Sequence, residues 1–167
     1  MAPEIRRALP SDLERLTEIY NQAILARDCT CHLETFTAYE RKDWLIEHMG
    51  EKYPLLVCVL DRKIVGYAHL SPYKDRQAFD GAVEVTYYLD YDYRRQGLGS
   101  LLMEKLLSEA EKLGYKTATA SIIGSNTASE RLLLKYGFKE WGRLPKIADF
   151  GDRKEDHVFF GKYITEE

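Results

Sequence analysis

One junction constrains the fold of this chain more than any other. A strand pattern runs into a glycine turn, and the turn runs into a long amphipathic helix. Val83, Val85, Tyr87 and Leu89 alternate with Glu84, Thr86 and Tyr88, the period of two that marks a strand with two different faces. Past Arg94-Arg95-Gln96-Gly97-Leu98-Gly99-Ser100, the residues Leu98, Leu102, Leu106, Ala110 and Leu113 recur at helical spacing until Gly114 stops them. A strand feeding a helix through a tight turn is a unit of mixed α/β architecture.

The rest of the chain fits around that junction. Glu4 to Leu9 reads as a first strand. Ser11 and Glu14 are spaced as a capping box before a helix whose stripe is Leu13, Leu16, Ile19, Tyr20, Ala23 and Ile24. A second box, Thr37 with Glu40, opens a shorter helix carrying Trp44, Leu45 and His48. Leu55 to Leu60 and Ile64 to Leu70 are β-rich runs joined by a hairpin at Asp61-Arg62-Lys63. Thr117 to Ile123 predicts another strand, and a helix from about Asn126 to Tyr136 stops at Gly137. Closing strands are expected over Phe138 to Leu144 and about Glu155 to Ile164. The predicted order is β-α-α-β-β-β-α-β-α-β-β, a mixed α/β sheet with helices on both faces. No repeat or linker divides the sequence, so residues 1–167 read as one domain.

The glycine turn carries the chemistry. The first amides of a helix lack intrahelical partners, and the helix dipole adds partial positive charge there. Gly97 and Gly99 let the backbone approach an anion, and Arg94 and Arg95 add charge at the same spot. A diphosphate cradle is one reading, and a plain strand-to-helix turn with surface arginines is the other. A Walker A loop is excluded, because no Gly-x-x-x-x-Gly-Lys-Ser/Thr string occurs. A dinucleotide fingerprint needs a third glycine where Leu102 stands.

Other classes are set aside on composition. A net charge of -3 argues against nucleic acid, and no apolar run approaches the roughly 18 residues of a membrane span. The N-terminal residues lack an apolar signal core, which predicts a cytoplasmic protein with Cys29, Cys31 and Cys58 as free thiols. Cys29-Thr30-Cys31-His32 has too few partners for a four-ligand metal site, so no metal is expected.

Several segments, in this order and spacing, resemble the GNAT acetyltransferase superfamily. They are Ile5-Arg6-Arg7-Ala8 with Asp12, Glu34-Thr35-Phe36 with Trp44, and Val65-Gly66-Tyr67-Ala68 with Ser71-Pro72. Arg76-Gln77-Ala78-Phe79, Glu84 to Leu89, Arg94 to Ser100, Asn126-Thr127-Ala128-Ser129 and Gly137-Phe138 complete the set. Within the superfamily, the chain is similar to the phosphinothricin acetyltransferases and related amino-acid N-acyltransferases. The resemblance implies a largely antiparallel sheet with two splayed parallel central strands, and acetyl-CoA as co-substrate. It implies that Tyr87 and Leu89 offer backbone groups to the pantetheine arm, with the Leu89 amide facing the thioester oxygen. Arg94, Arg95, Gln96, Gly97, Leu98, Gly99 and Ser100 would hold the pyrophosphate. Asn126 and Ser129 would meet the pantetheine arm, although a helix N-cap explains Asn126 equally well. A homodimer is a further family expectation.

On the acceptor side, the resemblance assigns Glu84 as the base that takes the amine's proton, the alternative being an exposed strand carboxylate. Phe36, Arg76 and Phe79 join Glu84 as substrate-binding candidates, Arg76 as a partner for a carboxylate. Two departures from the branch stand out. Leu133 occupies the place where Tyr or His serves as general acid, with Tyr136 three residues on as a substitute candidate. The branch's Lys and Trp before the last strand are replaced by a segment containing Asp149-Phe150-Gly151, where Asp149 and Asp152 read either as solvated loop charges or as groups favouring a cationic amine. The leading expectation is acetyl transfer to the primary amine of a small molecule, an amino acid or its analogue, by direct attack in a ternary complex. Transfer to protein Lys or N-terminal amines, and a CoA-binding regulatory module without turnover, are the alternatives.

Overall fold

The computed structural model describes residues 2–165. Its elements follow as β1 (Glu4–Arg7), α1 (Leu13–Ala26), α2 (Lys42–Glu47), β2 (Leu55–Leu60), β3 (Lys63–Pro72), β4 (Ala82–Leu89), α3 (Leu98–Lys112), β5 (Thr117–Ile123), α4 (Thr127–Lys135), β6 (Lys139–Asp149) and β7 (Lys154–Tyr163). This is the predicted order. The strands form one sheet in the order β1-β2-β3-β4-β5-β7-β6, antiparallel throughout except at β4–β5.

The amphipathic stripes decide the layering. Leu16, Ile19, Tyr20, Ala23 and Ile24 of α1 are buried, and with Leu45 of α2 most of that stripe packs on Leu55, Val57 and Tyr67. Leu98, Leu102, Leu106 and Ala110 of α3 pack on Val83, Val85, Ala118 and Phe160 from the other face. The alternation of β4 is thereby explained: Val83 and Val85 enter the α3 core, while Tyr88 joins the α1 core. Fully burying one such Leu contributes about 1.5–3 kcal/mol relative to leaving it in water. The β2–β3 hairpin turns on Asp61 and Arg62, both at positive φ (50° and 67°), as a two-residue turn of the primed kind requires.

Three expectations change. The Ser11–Glu14 box does not cap α1. Instead the chain enters through a 3-10 turn at Pro10–Asp12, where the Leu9 amide donates to Asp12 Oδ2 at 2.8 Å and Arg6 Nη1 donates to the same oxygen at 2.8 Å. Pro10 presets the turn, and the guanidinium of β1 recruits the carboxylate that lies closest. The Thr37–Glu40 box does form, with amide-to-side-chain bonds of 3.0 and 3.2 Å, but a 3-10 turn at Tyr39–Arg41 precedes α2 and leaves His48 at its C-cap. Finally, β6 does not end at Leu144. It continues past an irregularity between Leu144 and Ala148, where Pro145 removes a donor and Lys146 sits at φ 52°.

That extension makes Asp149-Phe150-Gly151 part of the β6–β7 hairpin turn. The Phe150 amide donates to the Arg153 carbonyl at 2.9 Å, and the Gly151 amide to Asp149 Oδ1 at 2.9 Å, with Gly151 at φ 89°. Phe150 is buried beneath the guanidinium groups of Arg153 and Arg27, 4.4 and 5.6 Å from its ring centre. Its anchoring role is structural.

Candidate active site

The parallel strands β4 and β5 pair only at Ala82–Thr117, Val83–Ala118 and Glu84–Thr119. Beyond that rung β4 continues to Leu89 and β5 to Ile123 without pairing, so the sheet opens into a wedge. The Asp90 amide donates to the Val65 carbonyl of β3. Backbone groups alternate sides along a strand, so those of Val85, Tyr87 and Leu89 point toward the open side. Unpaired backbone groups in a wedge are donors and acceptors waiting for an extended polar chain. Arg15 of α1 pairs with buried Asp90 and ties the end of β4 in place.

The glycine turn closes the mouth of this wedge. Arg95 and Gly97 both adopt left-handed backbone (φ 65° and 79°), which swings the chain into α3 with Gly97 as N-cap. A cleft of about 360 Å³ lies there, lined by Tyr87, Leu89, Arg94, Gly99, Asn126 and Ser129 among others. A Cβ on Gly99 would meet Tyr87 and Leu132, which both line the cleft, at 3.5 Å. Arg95, Gly97 and Ser100 also line it, whereas Leu98 is buried in the core and outside the lining. Gln96 is exposed and outside the lining.

Side chains around the cleft are already organised. The Arg94 guanidinium stacks 3.4 Å from the Tyr91 ring centre and lies 3.6 Å from Asp28, whose carboxylate accepts from the Tyr91 hydroxyl at 2.6 Å. Tyr87 and Ser129 share a hydroxyl hydrogen bond of 2.9 Å. Asn126 caps α4 by accepting from the Ser129 amide at 3.2 Å, so the N-cap reading of Asn126 holds while the residue also faces the cleft. Cys29 lines both the cleft and the inner wedge. Burial pushes its thiol up to about 12, which leaves it protonated.

On the opposite sheet face stands Glu84, half-buried beside Thr119. Burial raises its carboxyl above the usual range, and Lys74 offsets part of that rise. The other acceptor candidates are scattered around it. Phe36 is pinned by Asn21 through bonds of 2.9 and 2.8 Å and packs near Tyr20, which in turn meets Tyr88. Phe79 lies toward the other end of β4, where it and Ala82 line a separate cavity. Arg76 is exposed, its Nη1 bonded to the Asp75 carbonyl at 2.8 Å.

A family model for the acetyltransferase (GNAT) family matches residues 13–138. The chain belongs to the GNAT acetyltransferase family. Phosphinothricin N-acetyltransferase of Streptomyces coelicolor is 34% identical over 86% of each chain. L-amino acid N-acyltransferase MnaT of Escherichia coli is 29% identical over 97% of this chain and 94% of its own. A phosphinothricin acetyltransferase from Sinorhizobium meliloti, solved with acetyl-CoA, superposes with a TM-score of 0.93 at 27% identity, covering 98% of this chain and 89% of that one. This GNAT enzyme is therefore an N-acetyltransferase whose donor is acetyl-CoA.

Leu133, which the resemblance sets where the branch carries Tyr or His, is buried and lines the inner wedge of the acetyltransferase. The hydroxyl of Tyr136, the substitute candidate, donates to the Ser100 carbonyl at 3.0 Å. Sequence reasoning missed Tyr91, Asp28 and Asp90. The Tyr91–Arg94 spacing of three residues was a visible signal, while the contacts to Asp28 and Arg15 bridge more than 60 positions and left none.

Proposed function

We propose that this enzyme acetylates the primary amine of an amino acid or close analogue, by direct attack within a ternary complex. The observation that carries the reading is Glu84: a half-buried carboxylate at the last β4–β5 rung, on the face away from α3, with its proton affinity raised by burial. An ammonium has no lone pair, and such a carboxylate takes its proton near neutral pH. Acetyl-CoA supplies the acetyl group as an activated thioester. The open backbone groups of Tyr87 and Leu89 suit the pantetheine arm, with the Leu89 amide placed for the thioester oxygen. Arg94, Arg95 and the amides from Gln96 to Ser100 suit the pyrophosphate, and Asn126 and Ser129 suit the arm's amides. No protein acid is assigned, since a thiolate leaves with a proton from water.

The names of the phosphinothricin and L-amino acid relatives support an amino-acid acceptor, with Phe36, Arg76 and Phe79 around it. The same reading places the enzyme in the cytoplasm as a homodimer. Exposed Leu144 and Ile147 on the edge strand β6 are apolar surface that a second copy would cover. Among the described residues no helix is long and apolar enough to cross a membrane. The test is thiol release from acetyl-CoA over a panel of free amino acids, analogues and peptides. Acceptor-dependent release with free amino acids is expected. Release with peptides alone would redirect the reading to protein amines, and cofactor binding without any release would leave a CoA-binding module.

A further inference from the structure

The row of the sheet that holds Glu84 continues across three strands on one face. Glu84 pairs with Thr119, and Thr119 pairs with Gly161 of β7. Over Gly161 lies Trp141. The register of β6 jumps between Glu140 and Gly142, which frees Trp141 from pairing and lets its ring lie over Gly161. A Cβ at Gly161 would fall 1.9 Å from that ring, so the glycine is what allows the indole to settle there.

Beside this row is a cavity of about 690 Å³, within the size range of small-molecule sites. Two aromatic pairs border it. Trp141 and Tyr163 lie 5.2 Å apart on one side, and Tyr73 and Phe79 meet edge to face at 5.4 Å on the other. Phe159 and Thr119 join them in the lining. Lys116 is the one charged residue among the described lining, and no acid appears there. Such walls reward an aromatic or bulky apolar group and give no partner to a cation.

The geometry points to this cavity as the specificity pocket of the acceptor: the enzyme takes amino acids with an aromatic or bulky apolar side chain. The amine is at Glu84, the side chain is between Trp141 and Phe79, and Lys116 at the rim receives the carboxylate in place of Arg76, which is exposed and outside the lining. This rests on the amino-acid acetyltransferase reading above. Glu84 is outside the lining itself, but its rung partner Thr119 and Ala82, two residues before it on β4, both line the cavity, which favours the acceptor's side chain over a second copy of the chain as occupant.

Two measurements test it on the full chain. Initial rates of thiol release compare phenylalanine, tryptophan and leucine with glycine, phosphinothricin and methionine sulfoximine. Calorimetry follows phenylalanine binding to the CoA-loaded enzyme. The aromatic acceptors are expected to exceed glycine in kcat/KM by roughly a hundredfold, on the scale at which apolar pockets discriminate. Trp141→Ala, and Phe79→Ala as an exposed position safe for folding, are expected to erase at least roughly tenfold of that preference with the KM for acetyl-CoA unchanged. A preference for glycine or phosphinothricin overturns the proposal, as does an equal loss for every acceptor in both variants. So does sedimentation showing that Trp141→Ala only splits a dimer while the preference stays. If no amine releases thiol, yet phenylalanine binds wild type and not the variants, the pocket stands and the acetyl-transfer reading falls. If phenylalanine does not bind, the pocket falls.

Discussion

Glu84 and Thr119 form the last rung that joins β4 to β5, so the carboxylate stands where the sheet begins to open. The same rung separates two jobs. Below it, paired backbone holds Glu84 rigid. Above it, backbone at Val85, Tyr87 and Leu89 that β5 leaves unpaired faces the open wedge.

Replacing Glu84 with Gln tests that placement. Turnover with the preferred amine is expected to fall by about 10²-fold or more, the usual worth of a positioned base, while the affinity for CoA is unchanged. The wild-type rate should rise with pH through a pKa above the ordinary carboxylate range. The same shift acts on stability. A native carboxyl that holds its proton more tightly than the unfolded one binds more protons between the two pKa values, so stability falls as pH rises through that window. Glu84→Gln removes this loss. Thermal unfolding near pH 7 should therefore find the variant more stable than wild type, and a less stable variant would contradict the burial argument.

Arg94 is held by Tyr91 and Asp28 at the rim of the cleft. Arg94→Ala is expected to raise the KM for acetyl-CoA by roughly tenfold to a hundredfold, the worth of a charge-assisted hydrogen bond to phosphate. The Asp28 pair is partly exposed, so the melting temperature should barely change. Initial-rate kinetics with a melting curve on the same preparation decide this. An unchanged KM would return the turn to an ordinary strand-to-helix connection.

Tyr136 spends its hydroxyl on the Ser100 carbonyl at 3.0 Å. Tyr136→Phe should leave kcat within roughly twofold and cost about 1 kcal/mol of stability, the net value of one such bond. A large loss of kcat in steady-state assays would make Tyr136 the missing acid after all.

His69 is buried against Trp44 and His48, its Nδ1 3.1 Å from Ser71 Oγ. Burial, then the neighbouring His48 and Arg41, hold its imidazole well below the ordinary range. The unfolded chain therefore binds the proton that the native state refuses, and stability is lost as pH falls below about 6.5. Denaturant titrations at pH 7.5 and 5.5 should show a lower midpoint at the acid pH. The drop should be smaller in His69→Asn, where only His48 and His157 keep a lowered pKa. A drop of equal size in both proteins would move the effect elsewhere.

Where a pattern is local, the sequence was a sufficient guide. Hydrophobic periods named every helix and strand in order, the Thr37–Glu40 box formed as spaced, and Gly114 and Gly137 stand at positive φ where the helices stop. The Arg94–Ser100 turn belongs to the same class, because a strand, two glycines and a helix lie within one stretch of chain. Its failures were local too: Ser11 lost its cap role because Arg6, across the turn, recruits Asp12.

What the sequence by itself determined is thus the glycine turn, since a strand, a left-handed turn and a helix N-terminus are built from consecutive residues and need no distant partner. Only the tertiary structure decided what stands around Glu84. Glu84, Thr119, Gly161 and Trp141 are spread over the second half of the chain, and they become neighbours through strand register and one bulge in β6. Phe150 makes the same point, being an anchor under Arg27 and Arg153 that no spacing rule could show. Register across a sheet is set by the burial of both its faces together, and that information is not contained in any single segment.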